Sequence, residues 1–181
     1  MIYVALLRGI NVGGNNKVSM MQLKLVFEQA SLTDVKTYIN SGNVIFRDES
    51  RMPEELVYIL EKAILSEFGF AVSVLIRDIT AMKATVEGLE DAWKNDTTMK
   101  CDVMFLWDDI DNKDTLNQLI IKPEIDTVRY VPGAILFAVE RKNVTKSGLM
   151  KLIGTPLYKR MTIRNCNTTR KLYSLMRAIE P

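Results

Sequence analysis

The chain has 181 residues, 48% hydrophobic and 25% charged, with a formal net charge of +2. That length and balance fit one soluble globular domain, or two small subdomains sharing a core. There is no histidine, which excludes Ser-His-Asp and Cys-His catalysis and every His-containing zinc site.

No run reaches the ~18 apolar residues of a membrane span, and no N-terminal basic-apolar-small pattern marks a signal peptide. Cys101 and Cys166 are the only cysteines, so a disulfide framework is not expected and a reducing cytoplasm is. The small net charge hides a split. Residues 141–181 hold ten Lys/Arg against Glu180 alone, a charge of +9, which leaves −7 over residues 1–140. Such asymmetry points either to a basic surface for polyanions or to a basic segment packed on an acidic body.

In chain order, Ile2 to Leu7 has strand character and does not alternate apolar with polar, so both of its faces are expected to be covered. The strand breaks at Arg8-Gly9 into a loop carrying Gly13 and Gly14 with Asn11, Asn15 and Asn16. Ser19 then opens an amphipathic run, with Gln22 as capping-box partner. Met20, Leu23, Val26, Phe27 and Ala30 share its helical stripe. Val35–Ile39 and Val44–Phe46 read as strands about a tight Asn40-Ser41-Gly42-Asn43 connection. Pro53 suits the first turn of a second helix with stripe Leu56, Ile59, Leu60, Ala63 and Ile64, closed by Gly69. Phe70–Ile76 reads as a strand, completing β-α-β-β-α-β, the ferredoxin-like unit.

The remainder reads as a second, looser copy. Asp78–Val86 is a short helix or connector, Val103–Trp107 a strand, and Asp111–Ile120 a helix with acids in its first turn. Thr127–Val131 and Ala134–Glu140 form a hairpin across Pro132-Gly133. VKTYINSGNVIF and VRYVPGAILF share strand, glycine turn, and an apolar strand ending in Phe, which hints at an internal repeat. Lys146–Ile153 is helical, Gly154-Thr155-Pro156 breaks it, and Thr162-Ile163 suits a short strand. Asn167 is expected to cap a final helix with stripe Leu172, Leu175, Met176 and Ile179. The fold expected is α+β: two ferredoxin-like subdomains, 1–78 and 79–181, packed together with the C-terminal helix.

Three motifs carry a family resemblance: LLRGINVGGNNKVSM at the start, TYINSGNVIF at Thr37–Phe46, and TIRNCNTTRKL at Thr162–Leu172. Together they resemble the bacterial family catalogued as domain of unknown function 1697. The resemblance spans the chain and implies fold and motif positions, but no reaction. Its members usually place Trp where Cys166 stands here.

The residue types in these motifs suit holding phosphate and sugar groups rather than breaking bonds. The candidate binding residues are Arg8, Asn11, Gly13, Gly14, Asn15, Asn16, Lys17 and Ser19 in the first motif. The second adds Tyr38, Asn40, Ser41 and Asn43, and the third Arg164, Asn165, Asn167 and Lys171. Strand, glycine-rich loop and helix start together aim backbone N–H groups at an anion. The glycine spacing matches neither a Walker loop nor a dinucleotide fingerprint. The alternative is that each stretch is a capped turn satisfying its own hydrogen bonds. Asp108, Asp109, Asp111 and Asp114 lack calcium-loop spacing and are expected to flank and cap a helix start. Tyr3, Tyr38, Tyr130 and Phe46 are assigned to core packing rather than base stacking. No catalytic residue, metal ligand or cofactor is assigned. Three functions stay open: a binding module for nucleic acid or a small phosphorylated ligand, an enzyme on a phosphorylated or nucleotide-like substrate, and an interaction module with a basic tail.

Overall fold

The computed structural model describes residues 1–14 and 16–180. Two compact units are present, Met1–Ile79 with Leu172–Pro181, and Thr80–Lys171.

The first unit runs β1 (Ile2–Leu7), α1 (Met20–Gln29), β2 (Thr33–Tyr38), β3 (Asn43–Arg47), α2 (Pro53–Phe68) and β4 (Val74–Asp78). Its antiparallel sheet has the order β2-β3-β1-β4, the ferredoxin-like arrangement. β1 is an inner strand with all six residues buried, as its unbroken apolarity requires. On the helix-facing side Tyr3, Ala5 and Leu7 join Leu23, Val26 and Phe27 of α1 and Leu56, Leu60 and Ile64 of α2 in one core. Tyr3 stacks on Phe46 with ring centroids 5.6 Å apart, and Phe27 meets Phe46 edge-on at the same separation. Both helices start and stop where their sequences direct. Ser19 Oγ accepts from Gln22 N, although the Gln22 amide turns away to donate to Glu67 Oε1 at 2.8 Å rather than closing a reciprocal box. Pro53 sits in the first turn of α2, Glu55 accepts from Met52 N, and Gly69 ends the helix at φ +76°. β4 starts later than expected, at Val74, because its ladder partner β1 ends at Leu7 opposite it. Val72 is buried in the core ahead of that ladder, so its apolarity reports packing and not strand pairing.

The second unit contains α3 (Ile79–Glu87), β5 (Met99–Leu106), β6 (Thr127–Val131), β7 (Ala134–Glu140) and β8 (Met161–Asn165). The final helix α4 (Cys166–Arg177) follows directly. The sheet order β6-β7-β5-β8 repeats that of the first unit. The two sheets correspond in register at named positions. Leu7 N donates to Gly42 O at 2.8 Å, and Leu106 N donates to Gly133 O at 3.0 Å. Counting back from these, Tyr3 opposite Phe46 matches Asp102 opposite Phe137. Arg77 opposite Val4 matches Arg164 opposite Val103.

The crossovers differ between the units. The helices expected at Asp111–Ile120 and Lys146–Ile153 are short 3-10 turns, Lys113–Gln118 and Gly148–Leu152. Further 3-10 turns occupy Asp108–Ile110, Arg141–Lys146 and Leu157–Arg160. Asn112, Ser147 and Thr155 each turn a side-chain oxygen onto a nearby N–H at the start of a turn, at Thr115, Leu149 and Tyr158. The acidic run does not cap a helix either. Asn112 takes that role, while Asp111 Oδ1 accepts from Tyr130 Oη and Gly133 N and so fixes the β6–β7 turn.

Candidate functional site

The first two motifs meet in the first unit. Asn11 organises the loop between β1 and α1 from a left-handed backbone, φ +54°. Its amide donates to Val18 O (3.0 Å) and Asn40 O (2.9 Å), and its oxygen accepts from Val18 N (2.8 Å). One side chain thus ties the loop to the start of α1 and to the β2–β3 connection. Asn16 closes the same loop by donating to Gly9 O. Asn15 lies outside the described residues.

Gly13 and Gly14 adopt φ of +61° and +81°, and open space surrounds the place where a Cβ would sit on each. A side chain there would be strained by the backbone and not by a neighbour. Gly42 is different. Its Cβ would come within 2.7 Å of Leu7 Cβ, so it is required for close packing beneath the loop. Asn43 is fully buried and donates to Tyr38 O and Ser41 Oγ, closing the β2–β3 connection as a structural residue.

Beside the loop lies a cleft of about 420 Å³, lined by Asn11, Gly14, Lys17, Val18, Ser19, Met20 and Asn40. It sits at the N-terminus of α1, where the first N–H groups have no partner within the helix. Lys17 is the cation in its lining. Arg8, Tyr38, Ser41 and Asn43 do not line it.

The candidate residues of the third motif lie in the second unit, and Arg164, Asn165 and Asn167 have local tasks there. Arg164 is buried; Nη1 donates to Thr162 Oγ1 and to Ile163 O. Desolvation lowers its pKa to about 10, which leaves it charged at neutral pH. Its counterpart Arg77 makes the same bond to the preceding carbonyl, which marks a repeated scaffold feature. Asn165, and not Asn167, caps α4: its Oδ1 accepts from Thr168 N at 2.8 Å. Asn167 stands one step inside the helix and pairs with Asn95, donating to its O and accepting from its N. A shift of two residues in the helix start separates the sequence reading from the structure here. Lys171 is exposed.

Cys166 is fully buried, facing Trp93 O at 3.6 Å. A hydrogen bond from Cys101 and the Arg170 guanidinium lower its pKa to about 7, despite the opposing effect of burial. The same hydrogen bond, with burial, raises Cys101. Burial denies both thiols access to a substrate. Much of the basic C-terminal segment is likewise occupied. Arg141 donates to Asp96 O and Asn95 Oδ1, and Arg170 donates to Trp93 O and Glu90 O. Lys142 pairs with Glu140 and Arg160 with Asp109. Among the described residues no helix is long and apolar enough to cross a membrane.

The second unit also holds a cavity that the sequence reading did not identify, lined in part by Lys100, Asp102, Phe137 and Arg141. Its signal was the alternation Lys100, Asp102, Met104 along β5, which puts two charges on an otherwise apolar face.

Residues 1–137 match the family described as Protein of unknown function (DUF1697). The chain belongs to that family. The match carries the first two motifs, and the RNCNTTRKL run lies beyond it. The fold is similar to a solved structure described as conserved bacterial protein SP0830 from Streptococcus pneumoniae. That structure shares 29% identity, over 97% of this chain and 98% of that one, with a TM-score of 0.82. No curated protein sequence matches the chain.

Proposed function

We propose that this DUF1697 protein is a binding module for a small phosphorylated ligand, held at the loop between β1 and α1. The observation that carries this reading is the cleft where Gly14, Lys17 and Ser19 meet Asn11 and Asn40 at the start of α1. Left-handed glycines let the backbone approach a ligand closely. The helix start supplies N–H donors and a partial positive charge, and Lys17 adds a full one. Each charge-assisted hydrogen bond to phosphate contributes roughly 1.5–3 kcal/mol before ordering costs.

A volume of about 420 Å³ with one lysine in the lining suits a single phosphate with a sugar-sized group attached. It does not suit a run of nucleotides. Arg141 and Arg170 are engaged by carbonyls of their own unit, which leaves them less available to a polyanion.

Calorimetric titration with inorganic phosphate, a mononucleotide and a single-stranded oligonucleotide, across a salt series, tests this. Phosphate and mononucleotide should bind, with the oligonucleotide no tighter than the mononucleotide and only a shallow salt dependence. Lys17→Ala should weaken binding about tenfold or more, whereas Lys171→Ala should leave it unchanged. Absence of binding, or wild-type binding by Lys17→Ala, would make the loop a turn and nothing more.

A further inference from the structure

The two sheets differ at matched positions. In the first unit Phe46 is covered by Tyr3 on one side and by Phe27 of α1 on another. In the second unit the matching Phe137 has Asp102 opposite it in place of the tyrosine. The crossover after β7, where α2 stands in the first unit, is made of the short 3-10 turns Arg141–Lys146 and Gly148–Leu152. The sheet face is therefore incompletely filled. A cavity of about 470 Å³ remains over Met104, Phe137, Val139 and Ile163, roofed by Leu149 and Leu152. That volume lies within the range of small-molecule sites.

One end of this cavity is charged. Lys100 Nζ pairs with Asp102 Oδ2 at 2.5 Å, the two side chains being 33% and 15% exposed. Arg141 stands in the same lining, its guanidinium held in place by Asp96 O and Asn95 Oδ1. Two cations and one anion leave a net positive charge at the end of an apolar chamber. An entering amine would compete with Lys100 for Asp102 and face Arg141. A carboxylate would take up the remaining donors of the Lys100 ammonium, which has three. Exposed Met150 and Ile153, at 45% and 63%, belong to the same lining, so the walls are apolar as well as the floor.

The geometry points to a second binding site here, for a small aromatic or branched apolar molecule carrying one carboxylate. Its ring lies against Phe137 and Tyr158, and its carboxylate meets Lys100 and Arg141. This site is independent of the phosphate loop, since every residue of it lies in the second unit.

The test uses the full chain with labelled methyl groups and three probes: 2-naphthoate, the neutral 2-naphthamide, and the cation 2-naphthylmethylamine. Naphthoate should give saturable shifts at Met104, Val139 and Ile163, binding about tenfold or more tighter than the amine. Lys100→Gln should weaken naphthoate about tenfold and change naphthamide less than about twofold. Ile163→Trp, checked for folding by its thermal transition, should block all three; if it does not fold, the Lys100→Gln contrast decides alone. No saturable shift at millimolar naphthoate, shifts confined to other residues, preference for the amine, or equal naphthoate binding by Lys100→Gln would each overturn the assignment.

Discussion

The two units share a strand order and differ in what covers it. In the first, α1 and α2 fill the sheet face with Phe27, Leu56, Leu60 and Ile64, and the polar chemistry is confined to the loop ends. In the second, 3-10 turns cover the matching face, and a lysine–aspartate pair sits on the sheet itself. Ferredoxin-like topology therefore does not dictate where a site lies. The connections decide, because a helix excludes ligand from the face it packs on and a short turn need not.

The largest expected effect tests that contrast directly. Phe46→Ala removes a fully buried ring held between Tyr3 and Phe27 and should cost about 3–5 kcal/mol. Phe137→Ala enlarges a cavity already present and should cost less, about 2 kcal/mol, in chemical denaturation of the two variants. Equal losses would mean that the second face is as well packed as the first.

Gly148→Ala comes next. Its Cβ would lie 2.1 Å from Ile120 O, a backbone collision that should cost about 3 kcal/mol. Denaturation curves should show it far more damaging than Gly13→Ala, where open space leaves only the left-handed strain, about 1–2 kcal/mol.

A smaller effect depends on pH. Burial alone raises the Asp48 pKa, but hydrogen bonds from Arg51 and from the Arg51 and Ser50 amides outweigh it and leave the pKa below its ordinary value. A depressed carboxylate contributes stability that is present above its unfolded pKa of about 4 and is lost as pH falls through the folded value. Asp48→Asn should thus be less stable than wild type by about 1.5–3 kcal/mol at pH 7. The gap should close below about pH 4, which a pH series of melting temperatures would show.

The smallest effect separates two neighbouring asparagines, Asn165 and Asn167, that flank Cys166. Asn165→Ala removes the α4 cap and should cost about 1 kcal/mol. Asn167→Ala removes two bonds to Asn95 at an exposed position and should cost no more. A reversed order in thermal unfolding would restore Asn167 as the cap.

These pairs also show what the sequence discloses. The hairpins Thr33–Arg47 and Thr127–Glu140 are legible because alternation and glycine turns are local signals. So is α2, bracketed by Pro53 and Gly69. The cap at Asn165 is not, because Asn165 and Asn167 offer the same chemistry two residues apart and only the end of β8 decides between them. The 3-10 turns read as helices because Leu149 and Leu152 keep an i, i+3 spacing that both kinds of helix place on one face. The loop's composition marks it as special, but the clamp by Asn11 depends on Asn40, 29 residues away. The second cavity is least legible of all, since it arises from an aromatic that Asp102 replaces and a helix that does not form.

Amide-resolved titration of the wild-type protein with inorganic phosphate tests the proposed phosphate site most directly. Saturable shifts should centre on Gly13, Gly14, Lys17 and Met20, and Lys17→Gln should need about tenfold or more phosphate to reach them while leaving the rest of the spectrum intact. Shifts that never saturate, that fall away from this loop, or that persist unchanged in Lys17→Gln would contradict it.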